Sequence, residues 1–170
     1  MFILSQILGI AAVGLYLLSF QLKKRKQIVF TTFVSNGFFV LQYFLLGAYS
    51  GAVLDFLSAI FSFLANKKNE ENHRKLIKIS SLVIMVIMIS VGVTLAIVQN
   101  KLIELFPVIG AIFQTGGLWF NNEQTIRKCA LLGTPFWLIY NYISAAYGAA
   151  VGTVLVMISI IISLIRYKKA

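Results

Sequence analysis

The chain has 170 residues, of which 59% are hydrophobic and only 12% charged, and its mean hydropathy is +0.90. An average soluble protein carries about 25% charged residues, and a soluble domain of this length could not hide so much apolar surface. A soluble enzyme, a nucleic-acid-binding domain and a disordered chain are excluded. What remains is an all-α membrane protein, in which the net charge of +10 reports topology rather than a nucleic-acid partner, because nearly all of it lies in short runs.

Allowing about 20 residues per crossing, the chain divides into seven transmembrane helices. The first, Ile3 to Leu22, has the apolarity of a signal-peptide core, but its basic run Lys23 to Lys26 follows it instead of preceding it. It therefore reads as an uncleaved span with its N-terminus outside. Next come Ile28 to Leu46, a tight turn at Gly47 to Ser50, and a short third helix, Gly51 to Ala65. The polar stretch Asn66 to Lys75 leads into Leu76 to Val98, and Gln99 to Lys101 turns the chain into Leu102 to Phe120. After Asn121 to Thr125 come Ile126 to Ala145 and, past a small-residue turn, Ala149 to Ile165.

Of the 15 Lys and Arg residues, 14 fall on one side of this scheme and only Lys101 on the other. By the positive-inside rule the C-terminus is cytoplasmic and the N-terminus outside. The chain is thus expected to cross a membrane several times with its basic loops on the cytoplasmic side.

Seven spans divide as three, one and three, and an internal repeat at an offset of 98 residues accompanies that division. Over the 23 positions from Phe38 to Ile60 against Phe136 to Ile158, seven are identical: Phe38/Phe136, Ala48/Ala146, Tyr49/Tyr147, Ala52/Ala150, Val53/Val151, Leu57/Leu155 and Ile60/Ile158. The loops align as well, with the hairpins "GAYSGAV" and "AAYGAAV" after the second helix of each half. The chain is thus expected to hold a first three-helix repeat in 1–66, a loop and linker helix in 67–100, and a second repeat in 101–170. The linker helix returns the chain to the outside, so that both repeats run in parallel.

The second half, "ELFPVIGAIFQT" followed by "FWLIYNYISAAYGAAVGTVLVMISIIISLIRYKK", resembles the YgjV-like family of bacterial inner-membrane proteins. More distantly, the chain is similar to the SWEET, SemiSWEET and PQ-loop group, whose members share the three-one-three plan and mostly move small solutes. In that group the first helix of a repeat often ends in Pro-Gln before basic residues. "LSFQLKKRK" keeps Gln21 and the basic run with Phe20 in the proline place, and the second half has Trp119 there. The resemblance implies a pocket made by an aromatic residue on the second helix and a polar residue on the third helix of each half. "FWLIYN" selects Trp137 and, through the offset, Phe39; the polar place falls on Asp55, with Thr153 as its counterpart.

The residues themselves add to this site. Asp55 lies within a span, at whose centre an ionised carboxylate costs about 2.5 to 3.5 kcal/mol on insertion scales. It reads either as a ligand or proton carrier, or as a group hydrated from a helix end about 6 Å away. Asn141 shares a helix face with Trp137. Asn36, Gln42, Gln114 and Thr115 read mainly as interhelical hydrogen-bonding groups. Pro107, Gly116 and Gly117 mark either a gate hinge, with Gln21 at the same end of the bundle, or close packing through small residues. Glu104 is expected to pair with Lys101 at the surface, and Tyr43, Phe44, Tyr49, Tyr140, Tyr142 and Tyr147 to contribute to an interfacial aromatic belt. His73 with Glu70 and Glu71 makes a poor metal site, and the lone Cys129 rules out an internal disulfide. No cofactor is expected.

Five acidic residues, one histidine and one cysteine assemble no catalytic constellation, so the chain is not expected to be an enzyme. The reading is a transporter or facilitator of a small polar solute, sugar-like or vitamin- or nucleoside-like. The alternative is a ligand-binding or sorting membrane protein on the same fold. Besides the solute, its partners are membrane lipid and, with the oligomeric state open, further copies of itself.

Overall fold

Apolar runs of crossing length, broken by Gly, Asn and charged clusters, become seven helices in the computed structural model, which describes residues 2–68 and 74–167. They are α1 (Phe2–Gln21), α2 (Arg25–Leu46), α3 (Tyr49–Lys67), α4 (Arg74–Val98), α5 (Leu105–Gly117), α6 (Glu123–Ile143) and α7 (Tyr147–Arg166), with a 3-10 turn at Leu102–Glu104 leading into α5. Local chemistry sets several ends. The Asn122 side chain accepts from the backbone N–H groups of Gln124 and Thr125 at 2.8 and 3.2 Å, capping α6. Gly47 ends α2 at φ 71°, and Ala145 takes the same left-handed turn after α6 at φ 57° without a glycine's freedom.

Two helices differ most in length from the sequence reading. The third is not short: it begins two residues earlier and has 19 residues, which places Asp55 about 9 Å from its start rather than 6 Å. The fifth is the short one, with 13 residues spanning about 20 Å before its 3-10 extension is added. Five helices, α1 to α4 and α7, are long and apolar enough to cross a membrane by their own composition. The exceptions have physical causes, namely the length of α5 and, in α6, the charged first turns around Glu123, Arg127 and Lys128.

The offset of 98 carries α2 (25–46) onto 123–144, where α6 lies, and α3 (49–67) onto 147–165, where α7 lies. It carries α1 (2–21) onto 100–119, which holds the 3-10 turn and α5. Packing follows the same rule. Helix α2 sits against both α1 and α3, and α6 sits against both α5 and α7. The two halves meet where α1 packs on α7 and α3 on α5, interfaces that exchange into one another when the halves are swapped. Helix α4 lies on α3 and α5 through a narrow stripe of Ile77, Ser81, Met88, Gly92 and Ala96, and its other faces are exposed and apolar.

Polarity runs inside out relative to a soluble protein. Buried positions include Ser19, Thr32, Ser35, Asn36, Gln42, Ser58, Thr115, Thr134 and Asn141, while Ile3, Leu18, Leu82, Val151 and Ile165 face outward. Lipid supplies no hydrogen bonds, so polar groups gather inside the bundle, though the Gln42 amide and the Thr32 hydroxyl have no partner among the described residues.

The exposed hairpin residues allow the orientation to be tested. With Cys129 replaced by serine, cysteines at Tyr49 and Tyr147 should react in intact cells with an impermeant reagent, and one at Lys26 should react only after permeabilisation. The reverse pattern would invert the topology.

Candidate functional site

The middle of the bundle holds a small cavity of about 30 Å³, lined by residues of every helix except α4. Helix α2 contributes Asn36, Phe39 and Tyr43, and α6 contributes Thr134, Trp137 and Asn141. Each set has the i, i+3, i+7 spacing that puts three side chains on one helix face, and each member of one set lies 98 residues from its counterpart in the other. Tyr16 of α1 and Gln114 of α5 form a fourth such pair, and Asp55 of α3 and Thr153 of α7 a fifth. Ten of the twelve lining residues thus fall in pairs 98 residues apart.

All five residues expected to form the pocket, Phe39, Asp55, Trp137, Asn141 and Thr153, line this one cavity. Sequence reading missed Tyr43, which was placed in the interfacial belt together with Tyr140. Both are buried, Tyr43 at 1% exposure, whereas Phe44, Tyr49, Tyr142 and Tyr147 are exposed. The offset could have found it, because Tyr43 is the counterpart of Asn141, and the two touch: the Tyr43 hydroxyl donates to Asn141 Oδ1. Asn141 Nδ2 in turn donates to Thr153 Oγ1 at 3.1 Å, and Thr153 Oγ1 donates to the Ala149 carbonyl at 2.7 Å. Tyr140 accepts the Gly51 N–H at 3.0 Å on the same side of the cavity. The rings of Phe39, Tyr43 and Trp137 form a near-parallel row, with centroids 6.1 and 6.0 Å apart and planes within 20°.

Asp55 is 6% exposed and stands where this cavity meets a smaller one, lined also by Thr32, Ser58 and Thr115. Thr115 Oγ1 bonds Ser58 Oγ at 2.8 Å across the α3–α5 interface. Among the described residues Asp55 has neither a hydrogen-bond partner nor an ion pair.

The basic end is closed by two arginines that a charge count treats as topological alone. Arg25, at the start of α2, donates to the Leu118 and Phe120 carbonyls past the end of α5, at 2.8 and 2.9 Å, and to the Ala65 carbonyl of α3 at 2.8 Å. Arg127, near the start of α6 and 2% exposed, donates to the Phe20 and Leu22 carbonyls at the end of α1, at 3.3 and 2.9 Å. Phe20 and Leu118 are counterparts at 98 residues, as are Leu22 and Phe120. Each half thus holds the end of the other half's first helix at equivalent carbonyls. Lys68 adds a bond from Nζ to the Trp119 carbonyl. Burial first, and then the charges of Arg25 and Arg74, bring its pKa down to about 8.

Of the positions expected to gate, Gln21 donates from Nε2 to Ser159 Oγ at 2.7 Å, tying α1 to α7 at this end. Pro107 is in the first turn of α5, where its missing N–H breaks no helical bond. Gly116 and Gly117 are the last residues of α5, and a Cβ on Gly117 would stand 2.6 Å from Cys129 Cβ, so close packing accounts for that glycine. At the opposite end Glu104 is not paired with Lys101: among the described residues its Oε2 has no partner, and the side chain is 9% exposed beside the α2–α3 hairpin. Its counterpart Gln6 shows the reason for that placement. Gln6 Oε1 accepts the Gly148 N–H at 3.0 Å and Nε2 donates to the Ala145 carbonyl at 3.4 Å, bracing the α6–α7 hairpin. His73, Glu70 and Glu71 lie outside the described residues, and among the described residues no group of acids, His or Cys comes together that could hold a metal.

With the geometry in place, comparison with family models decides the lineage, since the model for the Imp-YgjV bacterial inner membrane proteins matches residues 3–170. The chain belongs to the YgjV family. It is accordingly a multi-pass protein of the bacterial inner membrane. No curated protein and no solved structure matches it.

Close approach of α5 and α6 holds the Trp137 indole in place in this member of the YgjV family. A Cβ on Gly110 would stand 2.6 Å from Trp137 Cδ1 and 3.2 Å from the Gly133 carbonyl. Gly110→Ala should therefore destabilise the protein by about 1 to 3 kcal/mol. In a Trp119→Phe background it should also shift the emission of Trp137. An unchanged melting temperature and spectrum would contradict this packing.

Proposed function

We propose that the protein is a transporter or facilitator of a small polar solute, working by alternating access between two parallel three-helix repeats joined by α4, with seven crossings, the N-terminus outside and the C-terminus cytoplasmic. The observation that carries this reading is that the cavity lies between α1–α3 and α5–α7 and that hydrogen bonds join these two groups towards each of its ends. Tyr43 to Asn141 and Gly51 to Tyr140 close the end near the hairpins. The bonds of Arg25 and Arg127 to the other half close the basic end. A small rotation of one half against the other can break one set and keep the other, which is what alternating access requires. The 98-residue correspondence of helix bounds, hairpin geometry and lining residues supports the repeat, and the 14 to 1 distribution of basic residues supports the orientation. In the cavity as it stands, only about 30 Å³ admits the centre of a water molecule. This is room for one or two waters, which fits an occluded state. Gln21 joins the basic-end closure in this scheme.

Two measurements test the proposal. Untargeted comparison of solutes in cells with and without the protein should show one chemical class retained or lost, and purified protein in proteoliposomes should move a member of that class. Ligand binding without flux would favour a receptor or sorting role instead. For the gating, Arg127→Gln removes charged hydrogen bonds worth about 1.5 to 3 kcal/mol, a shift of roughly 10- to 150-fold toward opening at the basic end. A cysteine at Thr134 should then become more reactive from that side, while Tyr43→Phe should raise its reactivity from the other. Equal reactivity in both variants would count against alternating closure.

A further inference from the structure

We infer that the solute is a small organic monocation, a protonated amine or a quaternary ammonium, seated between the Asp55 carboxylate and the aromatic faces of the central cavity. This rests on the reading of that cavity as the solute site, and it replaces the broader class of polar solutes with one chemistry. Four of the twelve lining residues, Tyr16, Phe39, Tyr43 and Trp137, present aromatic rings, and none of the twelve is Lys, Arg or His. Asp55 is the sole aspartate of the chain, and the glutamates among the described residues, Glu104 and Glu123, stand at helix ends. A buried carboxylate with no partner must be neutralised by a proton or by a cation that enters beside it. Ring faces attract an ammonium through their quadrupole, most strongly where water is excluded.

The hydrogen-bonding groups of the cavity point the same way. A sugar or nucleoside needs several free, directional partners, but much of this lining is already engaged with itself. Asn141 is engaged by Tyr43 and Thr153, Thr153 by the Ala149 carbonyl, and the Gln114 amide donates to Thr134 Oγ1 at 3.2 Å. What remains to recognise a ligand is one negative charge, a set of ring faces, and neutral groups such as the Asn36 amide and the unpartnered Trp137 Nε1–H. The counterpart of Asp55 is neutral Thr153, so the site compensates a single charge. The pocket at the hairpin end carries a second unpartnered acid, Glu104, among Tyr49, Ser50, Gln99 and Tyr140, with Lys101 at its margin. The route from that end thus also offers a carboxylate to a cation.

The test compares choline with its neutral carbon isostere, 3,3-dimethylbutan-1-ol, on the purified full-length protein, by calorimetry and thermal shift. A quaternary ammonium neither gives nor takes a proton, so the pair reads charge recognition apart from proton coupling. Choline should bind at least tenfold tighter than the isostere. Asp55→Asn should abolish that preference, Asp55→Glu should keep part of it, and Trp137→Leu should weaken choline severalfold. Equal binding of the two probes to the wild-type protein, binding of neither, or a preference for choline that survives in Asp55→Asn would overturn the inference. The wild-type comparison stands even if a variant fails to fold. Choline binding without flux in proteoliposomes would remove the transport reading and keep the cation site. Flux of a neutral solute with no choline binding would do the reverse.

Discussion

Where α1 and α5 end, the carbonyls of their last turns and of the residues just beyond lack partners within their own helices and need donors from elsewhere. Arg127 and Arg25 supply those donors, and each comes from the opposite half. A guanidinium is suited to this because it presents several N–H groups in a fixed fork and keeps its charge in a partly dry site. Much else follows from the crossed pairing. It fixes how α2 and α6 sit against the first helices, and with them the row of side chains that each turns toward the cavity.

The outline of the fold was open to reading because lipid imposes simple rules. Length and apolarity locate the helices, and the positions of Gly47, Asn100 and Asn122 mark turns that separate them. The ends were less legible: α3 and α7 each begin at the tyrosine of their hairpin, two residues before the apolar run suggests. The hairpin backbone passes directly into helix there, with no polar cap to announce it. The shortness of α5 was hidden by the apolar residues that continue on both sides of it.

At the site, Phe39, Asp55, Trp137, Asn141 and Thr153 line one cavity, with Phe39 and Trp137, and Asp55 and Thr153, 98 residues apart. The same offset explains what was overlooked. Tyr43 looked like a surface tyrosine from its place near a helix end, yet its counterpart had already been assigned to the interior. Arg25 and Arg127 gave no such hint, since their counterparts are Glu123 and Val29. Only the carbonyls that they reach are equivalent, and a carbonyl has no letter in the sequence. Glu104 was misread for a related reason: a pairing along the chain with Lys101 was the nearest option, whereas its counterpart Gln6 works across the interface.

The contact between Tyr43 and Asn141 has a further consequence. A side chain on a two-fold axis meets its own copy, so an assembly of two identical halves can place there only residues that bond to themselves. A covalently joined pair is free of that restriction and can set a donor against an acceptor at its centre. The same freedom extends to Asp55 and Thr153. Two identical halves would have to hold two carboxylates around one small cavity, mutually repelling, or none at all. A single chain can hold one, and so can own an odd charge.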